Sequence, residues 1–167
     1  GGGEANVAIS LAHFGLESHY VTKLPLHIVG DAAIKLLKSE GVLTDQIVRG
    51  GSRVGIYFSE TGASQRASTV VYDREHSATS ELQSGQIPWT TILEGATWFH
   101  CTGITPALGP GPISCTLEAL KAARSVGTKV SIDLNYRRKL WSESKAQQVM
   151  RSLVPYADVI IANEEDI

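Results

Sequence analysis

Cysteine is scarce in this chain: Cys101 and Cys115 are the only two. Without metal-ligand spacing they exclude a disulfide framework and a cysteine-built metal site. Both are expected as buried free thiols in a reducing cytosol. The five histidines are scattered. None has a partner at metal-binding spacing, and His100, beside Phe99 in a strand-like run, reads as a core or wall residue. No apolar run is long enough to span a bilayer. No basic stretch followed by an apolar one opens the chain. An excess of charge is missing too: the formal net charge is −2 and the pI near 6.2. That removes the electrostatic case for nucleic acid or a membrane surface. The phosphate-loop pattern G-x-x-x-x-G-K-[ST], the dinucleotide pattern G-x-G-x-x-G and the nucleophile elbow G-x-S-x-G are all absent.

What is present is an ordinary globular composition. The 167 residues are 43% hydrophobic and 19% charged, enough for one domain with a real core. Periodicity predicts a helix over residues 4–14, with Val7, Leu11 and Phe14 on its inner face and Gly15 closing it. A strand is expected over 19–24. A helix over 31–40 follows, capped by Asp31 and closed by Gly41, with Ile34 and Leu37 inward. Two β-rich runs, 53–59 and 68–73, have no helix between them and read as an antiparallel ribbon.

From residue 88 onward the pattern alternates. Pro88 opens a short helix before a strand at 96–101. Pro112 opens a helix with Ile113, Leu117 and Leu120 on one face, ended by Gly127. A strand follows at 129–134. Ser142 caps a helix holding Val149 and Leu153, stopped by Pro155, and an apolar strand covers 158–162. Strands alternating with amphipathic helices imply βαβ units, an α/β class and a parallel sheet flanked by helices.

Ligands in open α/β sheets bind beyond the carboxyl ends of the strands. Three segments occupy such ends: Thr102-Gly103-Ile104-Thr105, Asn135-Tyr136-Arg137 and Asn163-Glu164-Glu165-Asp166. The opening Gly1-Gly2-Gly3-Glu4-Ala5-Asn6 adds a turn without Cβ atoms running into a helix entrance with unpaired N–H donors, which suits a small polar ligand. Tyr72-Asp73-Arg74 could hold a carboxylate or sugar hydroxyls, or be a surface Arg with a half-buried Tyr. Asn135 and Arg137 could face the crevice, or cap a turn and be solvated. The acidic segment could organise Mg²⁺ through water, or only complement a helix dipole. Both ends read as interrupted: Gly1 begins inside a functional loop, and Asn163 to Ile167 look like a strand end passing into a first helical turn. The expectation is a segment of a longer protein.

Taken in order, several motifs converge. They are Gly-Gly-x-Glu-Ala-Asn, Gly30-Asp31-Ala32-Ala33, Arg53-x-Gly-Ile-Tyr57, Ser64-Gln65-Arg66 and Val71-Tyr72-Asp73-Arg74. Thr102 to Leu108, Asp133-Leu134-Asn135-Tyr136-Arg137 and Asn163-Glu164-Glu165-Asp166 follow. The series resembles the ribokinase-like (PfkB) carbohydrate kinases, and within them the 2-keto-3-deoxygluconate kinases, from first residue to last.

The resemblance implies a partial kinase domain over 1–167: a ribokinase-like parallel-sheet core flanked by helices, with the ribbon at about 53–73 forming part of a small β lid. It implies an ATP-dependent, Mg²⁺-assisted enzyme in the cytoplasm acting on a small sugar acid. Gly2 and Asn6 would line the sugar pocket, Tyr57, Tyr72 and Arg74 would reach the sugar acid from the lid, and Arg137 from the sheet. Asn135, Tyr136 and Asn163 would lie on the nucleotide side. Asp166 would serve the metal indirectly, standing where the family has Glu. Family members often associate through lid edges, so a homo-oligomer is implied too. The family's anion hole and catalytic Asp belong to a G-A-G-D segment that these 167 residues lack and that is expected downstream of Ile167. No catalytic residue is therefore expected here, and the fragment alone is expected to be inactive.

Arginine is the residue type that clamps a carboxylate. Arg74 and Arg137, flanked by Tyr72 and Tyr136, favour an acid over a neutral sugar. A same-fold kinase for a neutral sugar or nucleoside, and a non-catalytic sugar-acid binding module, are the competing readings.

Overall fold

A computed structural model describes residues 2–164 and 166. Gly1 of the opening turn, Glu165 of the acidic segment and Ile167 lie outside the described residues. The expected helical turn running to Ile167, and the catalytic segment expected downstream of Ile167, therefore have no structural counterpart to compare.

The backbone forms helices α1 (Gly3–His13) and α2 (Ile28–Ser39), with short strands β1 (Lys23–Leu24) and β2 (Val48–Arg49). Strands β3 (Ile56–Glu60) and β4 (Thr69–Asp73) come next. Then follow α3 (Trp89–Leu93), β5 (Trp98–Thr102), α4 (Ile104–Ala107), α5 (Pro110–Val126), β6 (Lys129–Asp133), α6 (Glu143–Leu153) and β7 (Val159–Ile161). β5, β6 and β7 make a parallel sheet in that order, β1 and β2 pair in parallel, and β3 and β4 pair antiparallel. Helices and parallel strands alternate as the α/β class requires.

Local chemistry explains the best-defined elements. Ser142 accepts a hydrogen bond from the Lys145 amide at 3.3 Å and caps α6, satisfying a donor that the first turn cannot pair. Gly127 ends α5 in the left-handed conformation, with φ of 80°. One face of the main sheet, with Cys101, Val130 and Ile132, packs on α5 and α6 through Leu120, Ala123, Val149 and Leu153. A second core joins Ala5 and Ala8 of α1 to Leu24, Leu37, Val42 and Ile47.

Several expectations are corrected. α1 buries Ala5 and Ala8, while Phe14 is 80% exposed and Leu11 is also exposed. A helix lying close against its neighbours wants small side chains there, so bulk was a poor guide to the inner face. α2 begins earlier than expected. His27 caps it through Nδ1, which accepts from the Val29 amide, and Asp31 instead pairs with Arg49. The strand at 19–24 shrinks to two residues plus an isolated bridge from His19 to Leu43. α5 starts at Pro110 after Gly109, not at Pro112. Strand β7 is exposed along its length.

Candidate functional site

Three segments meet at the carboxyl ends of β5 and β6. Gly2 has φ of 136°, a conformation L side chains rarely adopt. Its carbonyl accepts the Asn6 amide at 2.9 Å, which turns the chain into α1 and leaves Asn6 exposed on the first turn. A side chain at Gly3 would sit 3.6 Å from both Asn135 Nδ2 and Thr102 Cγ2. The glycine turn therefore lies against both strand ends. Glu4 joins it there: its Oε1 accepts from Thr102 Oγ1 at 2.8 Å and from Thr105 Oγ1 at 3.0 Å. At Gly103 a Cβ would fall 2.1 Å from the Leu134 carbonyl oxygen, so only glycine allows the turn after β5 to touch the end of β6.

Asn135 adopts φ of 42°, which Asn tolerates better than most residues. Its amide donates to Asp133 Oδ1 at 3.1 Å. The next amide, of Tyr136, donates to Asp166 Oδ1 at 2.6 Å, and Asp166 Oδ2 accepts the Asn163 amide at 3.0 Å. Asp166 thus ties Asn163 to the segment after β6. Both of its oxygens accept a backbone amide. Among the described residues no three His, Cys, Asp or Glu side chains group as a metal site.

The hairpin brings the aromatic residues together. Tyr57 and Tyr72 are cross-strand partners, with ring centroids 6.3 Å apart. Arg74 Cζ stands 4.0 Å from the Tyr72 ring centre. Lys139 Nζ, from the segment after β6, reaches within 5.9 Å of the same ring. Arg53 anchors the ribbon base through Asp73 Oδ2 at 2.6 Å, and that hydrogen bond holds the Asp73 carboxyl below the usual carboxylate range. Arg137 is exposed and donates to its neighbour's carbonyl, Tyr136 O, at 2.8 Å. Among the described residues Arg74, Arg137, Arg138 and Lys139 form no ion pair with a carboxylate. Arg74 and Lys139, which share the Tyr72 ring, leave their charge available to an anion.

The sequence-predicted residues thus fall into three contacts: Gly2 with Asn6 in the turn whose Gly3 lies beside Asn135, Tyr57 with Tyr72 and Arg74, and Tyr136 with Asn163 through Asp166. No direct contact joins Arg137 to Arg74; Lys139 makes the link to the hairpin. Sequence reasoning passed over Glu4, Thr105 and Lys139, although all three lie within or next to motifs it used. His100 is a wall residue, its Nδ1 2.8 Å from Ser131 Oγ. Burial pushes the Cys101 thiol up to about 12, with the Glu4 carboxylate adding to the shift. Cys115 is raised by burial as well.

Known proteins resemble this chain along its whole length. The family model described as pfkB family carbohydrate kinase matches residues 1–167. A 2-dehydro-3-deoxygalactonokinase of Haloferax volcanii is 37% identical over 168 residues, covering 99% of this chain and 52% of that protein. A 5-dehydro-2-deoxygluconokinase of Shouchella clausii is 30% identical over 169 residues, covering 99% and 51%. The crystal structure of a 2-dehydro-3-deoxygluconokinase from Thermotoga maritima superposes with a TM-score of 0.97 at 55% identity, covering 99% of this chain and 51% of that one. The chain spans about half the length of the relatives it matches.

Proposed function

Given that the chain belongs to the pfkB family of carbohydrate kinases, we propose that it is the sugar-side part of an ATP-dependent, cytoplasmic sugar-acid kinase. Its substrate is 2-keto-3-deoxygluconate, phosphorylated at the 6-hydroxyl. The observation that carries this reading is the Tyr57–Tyr72 pair with Arg74 on the ring and Lys139 beside it. These cations have no carboxylate partner among the described residues, and a neutral sugar has no use for them. The similar kinases named above act, by their names, on dehydro-deoxy sugar acids or their close isomers.

In this reading the ribbon at 53–73 is part of the lid. Arg74 pairs with the sugar carboxylate, and Arg137 turns from the Tyr136 carbonyl to assist. Tyr57 and Tyr72 hold hydroxyls and exclude water. The Gly2 backbone and the Asn6 amide bind the hydroxyl-bearing end. Asn135, Tyr136 and Asn163 border the nucleotide, and Asp166 orders water around Mg²⁺. When bound, ATP with Mg²⁺ supplies the γ-phosphoryl group and offsets its charge. The chain's own residues orient the sugar for in-line attack, which is most of what such catalysis requires. None of these 167 residues is assigned the proton-accepting role in this reading, so this chain alone is expected not to turn over. Exposed Ile56, Phe58 and Val71 on the ribbon would support association between lids in the intact protein.

A coupled ADP-release assay tests the reading. The intact protein is expected to turn over 2-keto-3-deoxygluconate in preference to fructose or ribose, and the 167-residue chain to give no ADP. Preference for a neutral sugar would defeat the sugar-acid assignment. Turnover by the short chain would defeat the division of labour.

A further inference from the structure

An acidic residue in a first helical turn ordinarily serves the helix dipole. Glu4 does more. α1 has no side-chain cap, and the Glu4 carboxylate crosses to the end of β5, where one oxygen accepts two threonine hydroxyls. Thr102 is 1% exposed. With its proton committed to Glu4, its oxygen is free to accept the Ile104 amide at 3.1 Å. Glu4 therefore holds both the entry (Thr102) and the first turn (Thr105) of α4. That turn in turn rests on β6: the Gly103 amide donates to Asp133 O at 2.8 Å. Among the described residues Glu4 has no cationic partner. The raised Tyr20 and Cys101 values each include its charge, as expected of a carboxylate lodged between α1 and the sheet.

We propose that Glu4 is a positioning residue that locks the Gly2–Gly3 turn onto the Thr102–Thr105 turn, so that the sugar-facing backbone is fixed before substrate arrives. The proposal rests on the kinase reading above for its kinetic consequence, but not for the lock itself.

The test has two arms. In the intact protein, Glu4→Ala is expected to lower kcat/KM for the sugar by about ten-fold to a hundred-fold while the KM for ATP moves less than about two-fold. Glu4→Gln keeps a carbonyl oxygen that accepts the same hydroxyls, and is expected to recover to within about three-fold of wild type. Thr105→Val removes one hydroxyl near the surface. Its effect is expected to be smaller than that of Glu4→Ala and to vanish in the Glu4→Ala background, as for coupled partners.

In the second arm, hydrogen exchange on the 167-residue chain needs no ligand. Amides of Asn6 and of Ile104, bonded to Gly2 O and Thr102 Oγ1, are expected to exchange faster together in Glu4→Ala and not in Glu4→Gln. Equal losses in Glu4→Gln and Glu4→Ala, sugar and ATP parameters falling together, or unchanged exchange would overturn the proposal. A wild-type preference for a neutral sugar defeats only the sugar-acid assignment, because the kinetic split can be read on whichever sugar is turned over.

Discussion

The Arg74 guanidinium carbon sits 4.0 Å from the centre of the Tyr72 ring, on the strand residue that pairs directly with Tyr57. Such a contact is worth about 0.5–1 kcal/mol at an exposed site. That is too little to account for the fold and enough to restrict where the guanidinium points. The ring positions the cation and leaves its N–H edge for an anion. Asp73, next in the chain, does not compete, because Arg53 occupies its carboxylate.

Arg74→Ala in the intact protein should therefore act on the acid selectively. A hydrogen bond to a charged group contributes about 1.5–3 kcal/mol, so kcat/KM for the sugar acid is expected to fall by roughly ten-fold to a hundred-fold. Activity on a neutral sugar should change by less than about three-fold. Tyr72→Leu removes the ring under Arg74 and should give part of the same loss. Side-by-side kinetics on the acid and on fructose check this. Equal losses on both would show that Arg74 serves the lid and not the carboxylate.

Stability should depend on alkaline pH through the buried thiols and Tyr20. Burial raises Cys101 to about 12 and also raises Cys115 and Tyr20. The sign follows from proton counting. The fold keeps protons that the unfolded chain releases above the ordinary thiol value of about 8.5. The contribution is full below that pH and is lost as pH rises toward the folded values. For Cys101 alone the loss at pH 10 relative to pH 7 is on the order of 2 kcal/mol. Urea midpoints from pH 7 to pH 10.5 should fall, and Cys101→Ala should flatten the slope. A parallel slope in that variant would assign the alkaline loss to other groups.

How much of this could be read from residues alone varied with the range of the interaction. α5 from Ile113 onward, β6 and α6 carried local signals: Gly127 in the left-handed region, Ser142 at the cap, Leu120 and Val149 at helical spacing. The α/β class and the strand-end segments followed from them. β1, β2 and α4 are two to four residues long, too short for any period to show. His27 as a cap was missed because a ring nitrogen rarely does what Ser or Asp does. At the site, Tyr72 and Arg74 are neighbours in sequence and were legible. The partners of Glu4 lie 98 and 101 positions away, and no local pattern encodes such a pairing.

The inner face of α1 gives the sharpest test of packing. Bulk and period favoured Val7, Leu11 and Phe14, yet Ala5 and Ala8 are the buried positions, Ala8 at 6% exposure. Close approach to the second core leaves room for a methyl group only. Ala8→Leu is therefore expected to destabilise the chain by about 1–3 kcal/mol through overpacking. Phe14→Ser, at a surface position, should stay within about 0.5 kcal/mol. Urea denaturation of the two variants of this chain decides between the faces. A large cost at Phe14 with a small one at Ala8 would restore the amphipathic reading, and would rotate α1 enough to carry Glu4 away from Thr102 and Thr105.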